Sequence, residues 1–213
     1  MTRAKSSLPH SEKRKQFELR ALGLREFAGV TEDQPLDPFA LAGFARLLVI
    51  DFYSIEGLSP ESREHLLGEA ANEWSGGACS RPLPNGWRLV ILNPAHGPQR
   101  NRATLMEEVA HVFLGHKPNR LAAIAHNEGP GRGTSNKMLA RDYNQADEEA
   151  AYAVGAAALV PYGVLRRLLM KGRSAPEIAR HFRVSRQLVE YRIKVTHLWA
   201  DYKRTSVPRA EHV

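Results

Sequence analysis

The sequence predicts a fold that combines several helices with a few strands, and two local patterns carry this prediction. Residues 74–80 and 87–92 are apolar stretches joined through Leu83-Pro84-Asn85-Gly86. Asn-Gly between two such stretches is a strong signal for a β-hairpin. After residue 104 the spacing changes, and apolar residues recur every three or four positions, at Leu105, Val109, Val112 and Phe113. The first pattern predicts a short antiparallel sheet, and the second predicts an amphipathic helix that follows it.

Capping residues and composition predict the other elements of the central part of the chain. Asp37-Pro38 starts one helix, because Asp is a favoured N-cap and Pro suits the first helical position. Residues 47–55 are rich in β-branched and aromatic side chains and predict a strand. Ser59-Pro60 starts another helix, and residues 144–160 predict an Ala-rich helix against which a neighbour can pack closely. The Gly-, Asn- and Ser-rich residues 127–136 predict a mobile loop before that helix.

Length and composition limit the class of protein. The chain has 213 residues, which suits one substantial domain with a small appendage. A hydrophobic fraction of 43% and a mean hydropathy of -0.40 are ordinary for a soluble globular protein. No stretch approaches the ~20 consecutive apolar residues of a membrane-spanning helix, and residues 1–25 lack the apolar core of a secretory signal. Cys79, the single cysteine, excludes an intrachain disulfide and a zinc site made of several thiolates. We therefore expect a cytoplasmic protein with no membrane contact.

The positive charge of the chain is concentrated near its C-terminus. The net charge is +7, and residues 161–213 hold 12 Lys and Arg against 4 Asp and Glu. We divide the chain into a basic N-terminal segment (residues 1–35), a central domain (residues 36–161) and a basic C-terminal helical segment (residues 162–213). The first is expected to be mobile, with some helix around residues 17–27. The last is where an anionic partner would bind, although a solvated helical surface explains the same charges.

A Glu-Glu-x-x-His motif at residues 107–111 is the candidate site of chemistry. Residues four apart lie on one face of a helix, so Glu107 and His111 can contact the same metal ion. Glu108 lies slightly aside, where a general base for an activated water is needed. In the related His-Glu-x-x-His helix both histidines bind metal and the glutamate takes the proton. A carboxylate also ligates zinc, so Glu107 preserves the geometry of that site, but the triplet by itself is common on solvated helices.

Two neighbouring features strengthen the metal-site interpretation. The predicted hairpin ends just before the helix, which puts a strand edge beside the cleft where an extended peptide could add as another strand. Further along, Asp147-Glu148-Glu149 begins the Ala-rich helix and offers carboxylates for a third ligand. Three protein ligands with one open position are the arrangement of a catalytic zinc site.

The ordered combination of these features resembles the ImmA/IrrE-type metallopeptidases over residues 37–199. The active-site helix of that family reads Arg-x-Thr-x-x-His-Glu-x-x-His, and the matching residues here are Arg102, Thr104, Glu107, Glu108 and His111. The following helix of the family reads Glu-x-x-Ala-Asn and ends in Leu-Met-Pro, and the matching residues here are Glu148, Ala151, Tyr152 and Leu159-Val160-Pro161. Asn93-Pro94 and the Val184-Ser185 turn are also similar. The chain departs from the pattern at Glu107, where His is usual, and at Tyr152, where Asn is usual.

The resemblance implies a small α+β zincin-like fold with C-terminal helices that are similar to a helix-turn-helix. It implies that Glu107, His111 and Glu148 are metal ligands and that Glu108 is the catalytic base, with Glu149 as the alternative ligand if the alignment shifts by one residue. The ion is divalent, with zinc preferred and manganese or iron as alternatives. The implied function is a regulatory, metal-dependent endopeptidase with a narrow protein substrate, such as a DNA-binding transcriptional repressor.

Two other functions stay open. Because Glu107 replaces a histidine, the chain can also be a catalytically inactive pseudopeptidase that binds a regulator or DNA. Glu-x-x-His also builds carboxylate-bridged sites for two metal ions, but the sequence offers no second motif of this kind in a convincing context.

Residues 174–193 have the spacing of a helix-turn-helix. Ile178 and Phe182 would be buried on the first helix, and Ser185 would cap the second. The exposed face of the second helix carries side chains of types that contact phosphates or bases: Arg186, Gln187 and Lys194. This predicts DNA contact, while a docking surface for the substrate or a helix pair that completes the core explains the same pattern.

Other residues near the motif are expected to be structural. His116 follows His111 by five positions, about 140° around a helix, and should face away from the metal. Arg102 and Thr104 most simply lead into the helix, and Trp74 is expected in the core of the hairpin rather than as a peptide-binding platform.

Overall fold

The computed structural model describes residues 8–79, 81–116 and 144–206 of the chain. Within these residues the fold is α+β, as the sequence predicts. It has a small three-stranded sheet, and the other elements are helices. The strands are β1 (Leu47–Ile50), β2 (Gly76–Ala78) and β3 (Arg88–Leu92). The helices are α1 (Glu12–Phe27), α2 (Pro38–Phe44), α3 (Pro60–Leu67), α4 (Pro98–Phe113), α5 (Gln145–Leu159), α6 (Tyr162–Met170), α7 (Ala175–Phe182), α8 (Arg186–Val195) and α9 (Trp199–Ser206). The loop predicted over residues 127–136 lies outside the described residues.

The sheet has the strand order β1-β3-β2 and is mixed rather than purely antiparallel. The predicted hairpin is confirmed, since β2 pairs antiparallel with β3 and Gly77 lies opposite Ile91. β1 pairs parallel with β3, with Val49 opposite Val90. The long connection between these two strands, which includes α3, permits the parallel pairing. The strand predicted over residues 47–55 ends at Ile50, because Asp51 caps a short 3₁₀ helix with its side chain.

Helices α4 and α5 pack against each other at the centre of the molecule. Almost every residue of α5 from Ala150 onward is buried, and Tyr152 is the exception. The small side chains bring the two helices close together, as the sequence predicts. At Gly155 the two backbones nearly touch, because a Cβ there would lie 3.2 Å from the carbonyl oxygen of Met106.

The helix that the sequence predicts around residues 17–27 is present as part of α1, and it lies in the core rather than in a mobile segment. In α1, Phe17, Ala21 and Leu24 are buried and pack on α5. Glu18 of the same helix is only 1% exposed and forms an ion pair with Arg192 of α8 at 2.6 Å. The helical spacing of the three apolar residues is visible in the sequence, but the charged residues between them obscure it.

The predicted helix pair near the C-terminus is present as α7 and α8. Ser174 and Glu177 form a capping box at the start of α7, and the Ser185 side chain caps α8. The short turn between the helices passes through Arg183, whose φ of 56° is left-handed. Among the described residues no single helix is long and apolar enough to cross a membrane, and α5 with α6 reach that length only as a pair bent by 51°.

Candidate metal centre

Two helices bring the three predicted metal ligands together. Glu107 and His111 lie one turn apart on α4, and Glu148 lies in the first turn of α5. One ligand atom from each of the three residues lies within 4.8 Å of the others. His111 Nε2 is 3.4 Å from Glu148 Oε2. The arrangement therefore depends on the close packing of α4 on α5, and not on the α4 motif alone.

The electrostatics of the cluster favour a bound cation. Burial, with the nearby charges of Glu108 and Glu148, raises the pKa of Glu107 to about 7. Burial also lowers the pKa of His111, which keeps its imidazole neutral and available as a ligand. Two carboxylates and one imidazole are a donor set that suits zinc and also manganese or iron. A divalent cation at this point would offset the repulsion among the carboxylates, so these residues fit the metal that the motif implies.

The structure separates the other two acidic candidates. Glu108 borders the same groove as Glu107 and His111. Glu149 instead lies on the side of α5 that faces α1, where it forms an exposed ion pair with Lys13 at 2.7 Å. Consecutive residues are rotated by about 100° around a helix, so Glu148 and Glu149 cannot both face the cluster. The geometry therefore favours Glu148 over the alternative ligand Glu149.

His116 lies beside the cluster, and the expectation that it faces away is wrong. Its Nδ1 is 3.0 Å from Nδ1 of His111. The helical extrapolation fails because α4 ends at Phe113 and the chain reverses at Gly115, which has a φ of 72°. The backbone N–H of His116 bonds to the carbonyl of His111 and that of Gly115 to the carbonyl of Val112, which is the Schellman pattern. Gly four positions after His111 is the sequence signal that indicates this turn.

A groove of about 690 Å³ opens in front of the cluster. Its lining includes the polar side chains of Glu107, Glu108 and His111 and the residues of β2, an edge strand of the described sheet. Apolar side chains of the segments before β2 also form a wall of the groove: Phe52, Ile55, Leu58, Leu66 and Trp74. The position of Trp74 differs from the expected place in a hairpin core, because its indole N–H donates to the carbonyl of Leu66 and holds the ring in the groove wall.

Two polar side chains hold backbone segments near the ends of α2 and β2 in place. Asn93 is fully buried, and its side-chain N–H groups donate to the carbonyls of Ala71 at 2.8 Å and Trp74 at 3.0 Å. It thereby fixes the segment that enters β2. Arg102 donates to the carbonyl of Leu36 and to the carboxylate of Asp37, the cap of α2. Both roles are structural, as expected for Arg102, and the role of Asn93 depends on contacts that the sequence does not show.

The predicted DNA-contacting residues lie on the outer face of α8. Arg186, Gln187 and Lys194 are exposed, while Val189 and Ile193 on the opposite face are buried. Arg186 forms an ion pair with Glu190 at 2.7 Å, which reduces the free positive charge of this face. Contact with DNA stays a prediction.

The cluster of Glu107, His111 and Glu148 on two packed helices is compatible with a divalent metal ion, and the family comparison supports a protein of the metallopeptidase type. The model of the IrrE N-terminal-like domain, a peptidase family, matches residues 80–194, which is more than half of the chain. The chain therefore belongs to the IrrE N-terminal-like peptidase family. Comparisons with curated proteins and with solved structures found no match. The family domain includes the ligand cluster and extends through α7 into α8, so the C-terminal helix pair is part of it.

Proposed function

We propose that this protein is a metal-dependent endopeptidase, with Glu107, His111 and Glu148 as the metal ligands and Glu108 as the general base. The observation that carries the proposal is that one ligand atom from each of the three residues lies within 4.8 Å of the others in the lining of the groove. Their donor types fit a divalent ion, and we propose zinc first, with manganese or iron as alternatives.

The surrounding residues support peptide hydrolysis. When bound, the ion would supply Lewis acidity at the scissile carbonyl and at the attacking water. Glu108 would accept the proton of that water and deliver it to the leaving amine. The outer edge of β2, which pairs with no further strand among the described residues, would bind the main chain of an extended substrate as an added strand. The apolar wall around Phe52 and Trp74 would accept a large apolar side chain next to the cleaved bond.

A regulatory role is the second part of the proposal. Its basis is the resemblance to ImmA/IrrE-type peptidases, from which we infer a narrow protein substrate such as a DNA-binding transcriptional repressor. We propose that the protein acts on this substrate in the cytoplasm. The helix pair α7–α8 would then serve to dock the substrate or the DNA that the substrate occupies.

A catalytically inactive pseudopeptidase that binds a regulator is the second candidate function. Glu107 favours it, because a carboxyl group with a pKa of about 7 competes for protons with the metal near neutral pH. Such a protein would keep the groove and the C-terminal helices but would bind metal weakly.

The test combines metal analysis with proteolysis. Protein purified without added metal is analysed for its elements, and cleavage of candidate repressors and of a proteome-derived peptide library is followed by mass spectrometry. Glu108→Gln should retain metal and lose cleavage, and His111→Ala should lose both. Glu149→Gln is the matched control, since it makes the same change outside the cluster and should cleave like the wild type. Full cleavage by Glu108→Gln would exclude Glu108 as the base, and a metal-free, inactive wild type would favour the pseudopeptidase.

A further inference from the structure

His116 lies against the candidate metal site without belonging to the ligand cluster. Its side chain is 11% exposed, and its two ring nitrogens face different partners. Nδ1 is 3.0 Å from Nδ1 of His111, and Nε2 is 3.6 Å from Oδ1 of Asp147. The other carboxylate oxygen of Asp147 accepts a hydrogen bond from the side chain of Asn144 at 2.8 Å. A continuous row of polar groups therefore leads from His111 to the start of α5.

We propose that His116 is a positioning residue that accepts a hydrogen bond from Nδ1–H of His111 and so presents the Nε2 lone pair of His111 to the metal. This inference rests on the proposed metal site of Glu107, His111 and Glu148. It assigns His116 no contact with the ion or with the substrate.

The direction of the hydrogen bond between His111 and His116 follows from the position of Asp147. An ionised carboxylate only accepts hydrogen bonds, so Asp147 favours the tautomer of His116 that carries its proton on Nε2. A neutral imidazole has one N–H, and Nδ1 of His116 is then an acceptor. At 3.0 Å the facing Nδ1 of His111 must donate. That leaves the lone pair of His111 on Nε2, the nitrogen that lies 3.4 Å from Glu148.

A hydrogen bond donated by His116 to His111 is disfavoured in the surroundings of both residues. It would place the Nε2 lone pair of His116 against the carboxylate of Asp147. It would also place an N–H of His111 where the metal is expected, between His111 and Glu148. In the metal-free protein the carboxylate of Glu148 attracts a proton on Nε2 of His111, whereas Asp147 favours the tautomer pair without that proton. A bound cation would remove the attraction of Glu148 for it.

Local hydrogen bonds hold both His116 and its partner Asp147 in place. The turn at Gly115 fixes His116, because its N–H bonds to the carbonyl of His111 itself at 3.0 Å. Asn144 caps α5 and fixes Asp147 one turn into the helix. Metal-binding histidines generally donate the N–H of their second ring nitrogen to a hydrogen-bond acceptor. Removal of that acceptor typically lowers the metal affinity by about 10–100-fold. We expect a loss in this range when His116 cannot accept.

The test measures zinc affinity by competition with a chromophoric chelator. His116→Phe and His116→Leu remove the acceptor, the first with retention of a ring and the second with a smaller side chain. Either should weaken zinc binding by about 10–100-fold. His116→Asn should rescue most of the affinity, because its side-chain oxygen can take the place of Nδ1. The control is His65→Phe, which changes an exposed histidine of α3 whose ring pairs with Glu69, just beyond the end of the helix. Thermal unfolding of each metal-free variant shows that the fold is retained.

A second readout does not depend on activity or on affinity. In nitrogen-15 spectra of the zinc-loaded protein, the Nδ1–H proton of His111 should be visible and protected from exchange in the wild type and in His116→Asn. In His116→Phe and His116→Leu it should exchange rapidly with water. Apolar variants that bind zinc as tightly as the wild type, or that retain the protected proton, would overturn the role of His116 and leave the metal site intact. A wild type that binds neither zinc nor manganese would instead overturn the proposed function itself.

Discussion

Gly155 of α5 lies against the main chain of Met106 in α4, so closely that an added methyl group would lie 3.2 Å from the Met106 carbonyl oxygen. The neighbouring backbone nitrogen of Glu107 would lie at 3.4 Å. Because α4 carries Glu107 and His111 while α5 carries Glu148, this contact sets the separation of the three ligands. The geometry of the proposed metal site is thus coupled to the packing of the core.

Substitution of Gly155 should therefore affect stability and metal binding together. Gly155→Val pushes the helices apart, and we expect a loss of about 1–3 kcal/mol in the free energy of unfolding, as is typical of overpacked cores. Zinc affinity should fall as well, because Glu148 moves away from His111. The control is Gly23→Ala in α1, where no described atom outside the adjacent turns of the helix lies within 4 Å of the added methyl group. It should raise the free energy of unfolding by about 0.5–1 kcal/mol and leave zinc affinity unchanged. Urea unfolding and chelator competition measure the two effects, and wild-type zinc affinity in Gly155→Val would contradict the coupling.

The buried ion pair between Glu18 and Arg192 should be a major determinant of stability. The two side chains are 1% and 3% exposed, and Arg192 also donates to the carbonyl of Val160 at the end of α5. Removal of one partner leaves an uncompensated buried charge, so Glu18→Gln or Arg192→Met should each cost about 3–5 kcal/mol. The double variant should cost less than the sum of the two.

A double-mutant cycle in urea measures this coupling. The exposed pair of Lys13 and Glu149 joins the same helix α1 to α5 and supplies the control, since its removal should have a much smaller effect. A loss below about 1 kcal/mol for Glu18→Gln would show that the pair does not hold α1 and α8 together.

The ligand cluster could be predicted from the sequence because most of its geometry is local. Four residues separate Glu107 from His111, and this spacing alone places both on one face of α4. The third proposed ligand lies on a second helix, α5. The run of small residues after Glu148 indicates that this helix packs closely against α4. The resemblance to a known family then selects Glu148, and the ion pair of Glu149 with Lys13 agrees with that choice.

Features that depend on distant contacts or on the end of a helix could not be predicted in this way. The parallel pairing of β1 with β3 is set by tertiary packing, whereas a hairpin signal is confined to a few residues. The helical angle misplaces His116 because the helix has already ended before Gly115. The sequence predicts helix around residues 17–27 but not its burial, because Glu18 has the charge of a surface residue and its buried partner Arg192 is far away in the sequence.

The raised pKa of Glu107 predicts a stability that falls as the pH rises. In the folded, metal-free protein this pKa is about 7, whereas the ordinary value is 4.5. Between these values the folded state binds more protons than the unfolded state, so the free energy of unfolding decreases through this window. Glu107→Gln removes that dependence. Near pH 8 the metal-free variant should be more stable than the wild type by about 1–3 kcal/mol, and near pH 4 the two should be similar.

Zinc should reverse this order. Saturating zinc stabilises the wild type because it binds the folded state, and it should stabilise Glu107→Gln far less. Thermal unfolding with and without zinc across this pH range checks both effects. Equal stability of the metal-free proteins near pH 8 would show that burial and the charges of Glu108 and Glu148 do not raise the pKa of Glu107.

Replacement of Glu107 by histidine restores the ligand set that is usual in the family and tests why this chain departs from it. Two carboxylates and one imidazole neutralise a divalent ion, whereas two imidazoles and one carboxylate leave one positive charge. The neutral site should acidify water less strongly, because the net charge of the centre helps to set that acidity. It should also favour manganese or iron relative to zinc, since oxygen donors suit those ions.

Glu107→His should therefore tighten zinc binding by about tenfold or more, which corresponds to about 1.4 kcal/mol. It removes both the repulsion from Glu108 and Glu148 and the proton that Glu107 must lose near neutral pH. Manganese affinity should rise much less, and zinc-dependent cleavage should increase if the wild type is a slow enzyme. Parallel titrations of both proteins with zinc and manganese measure the effect, with Glu149→His as the control for a histidine added outside the cluster. A wild type that binds neither ion at micromolar concentration, beside a histidine variant that binds zinc, would show that the natural chain is a pseudopeptidase.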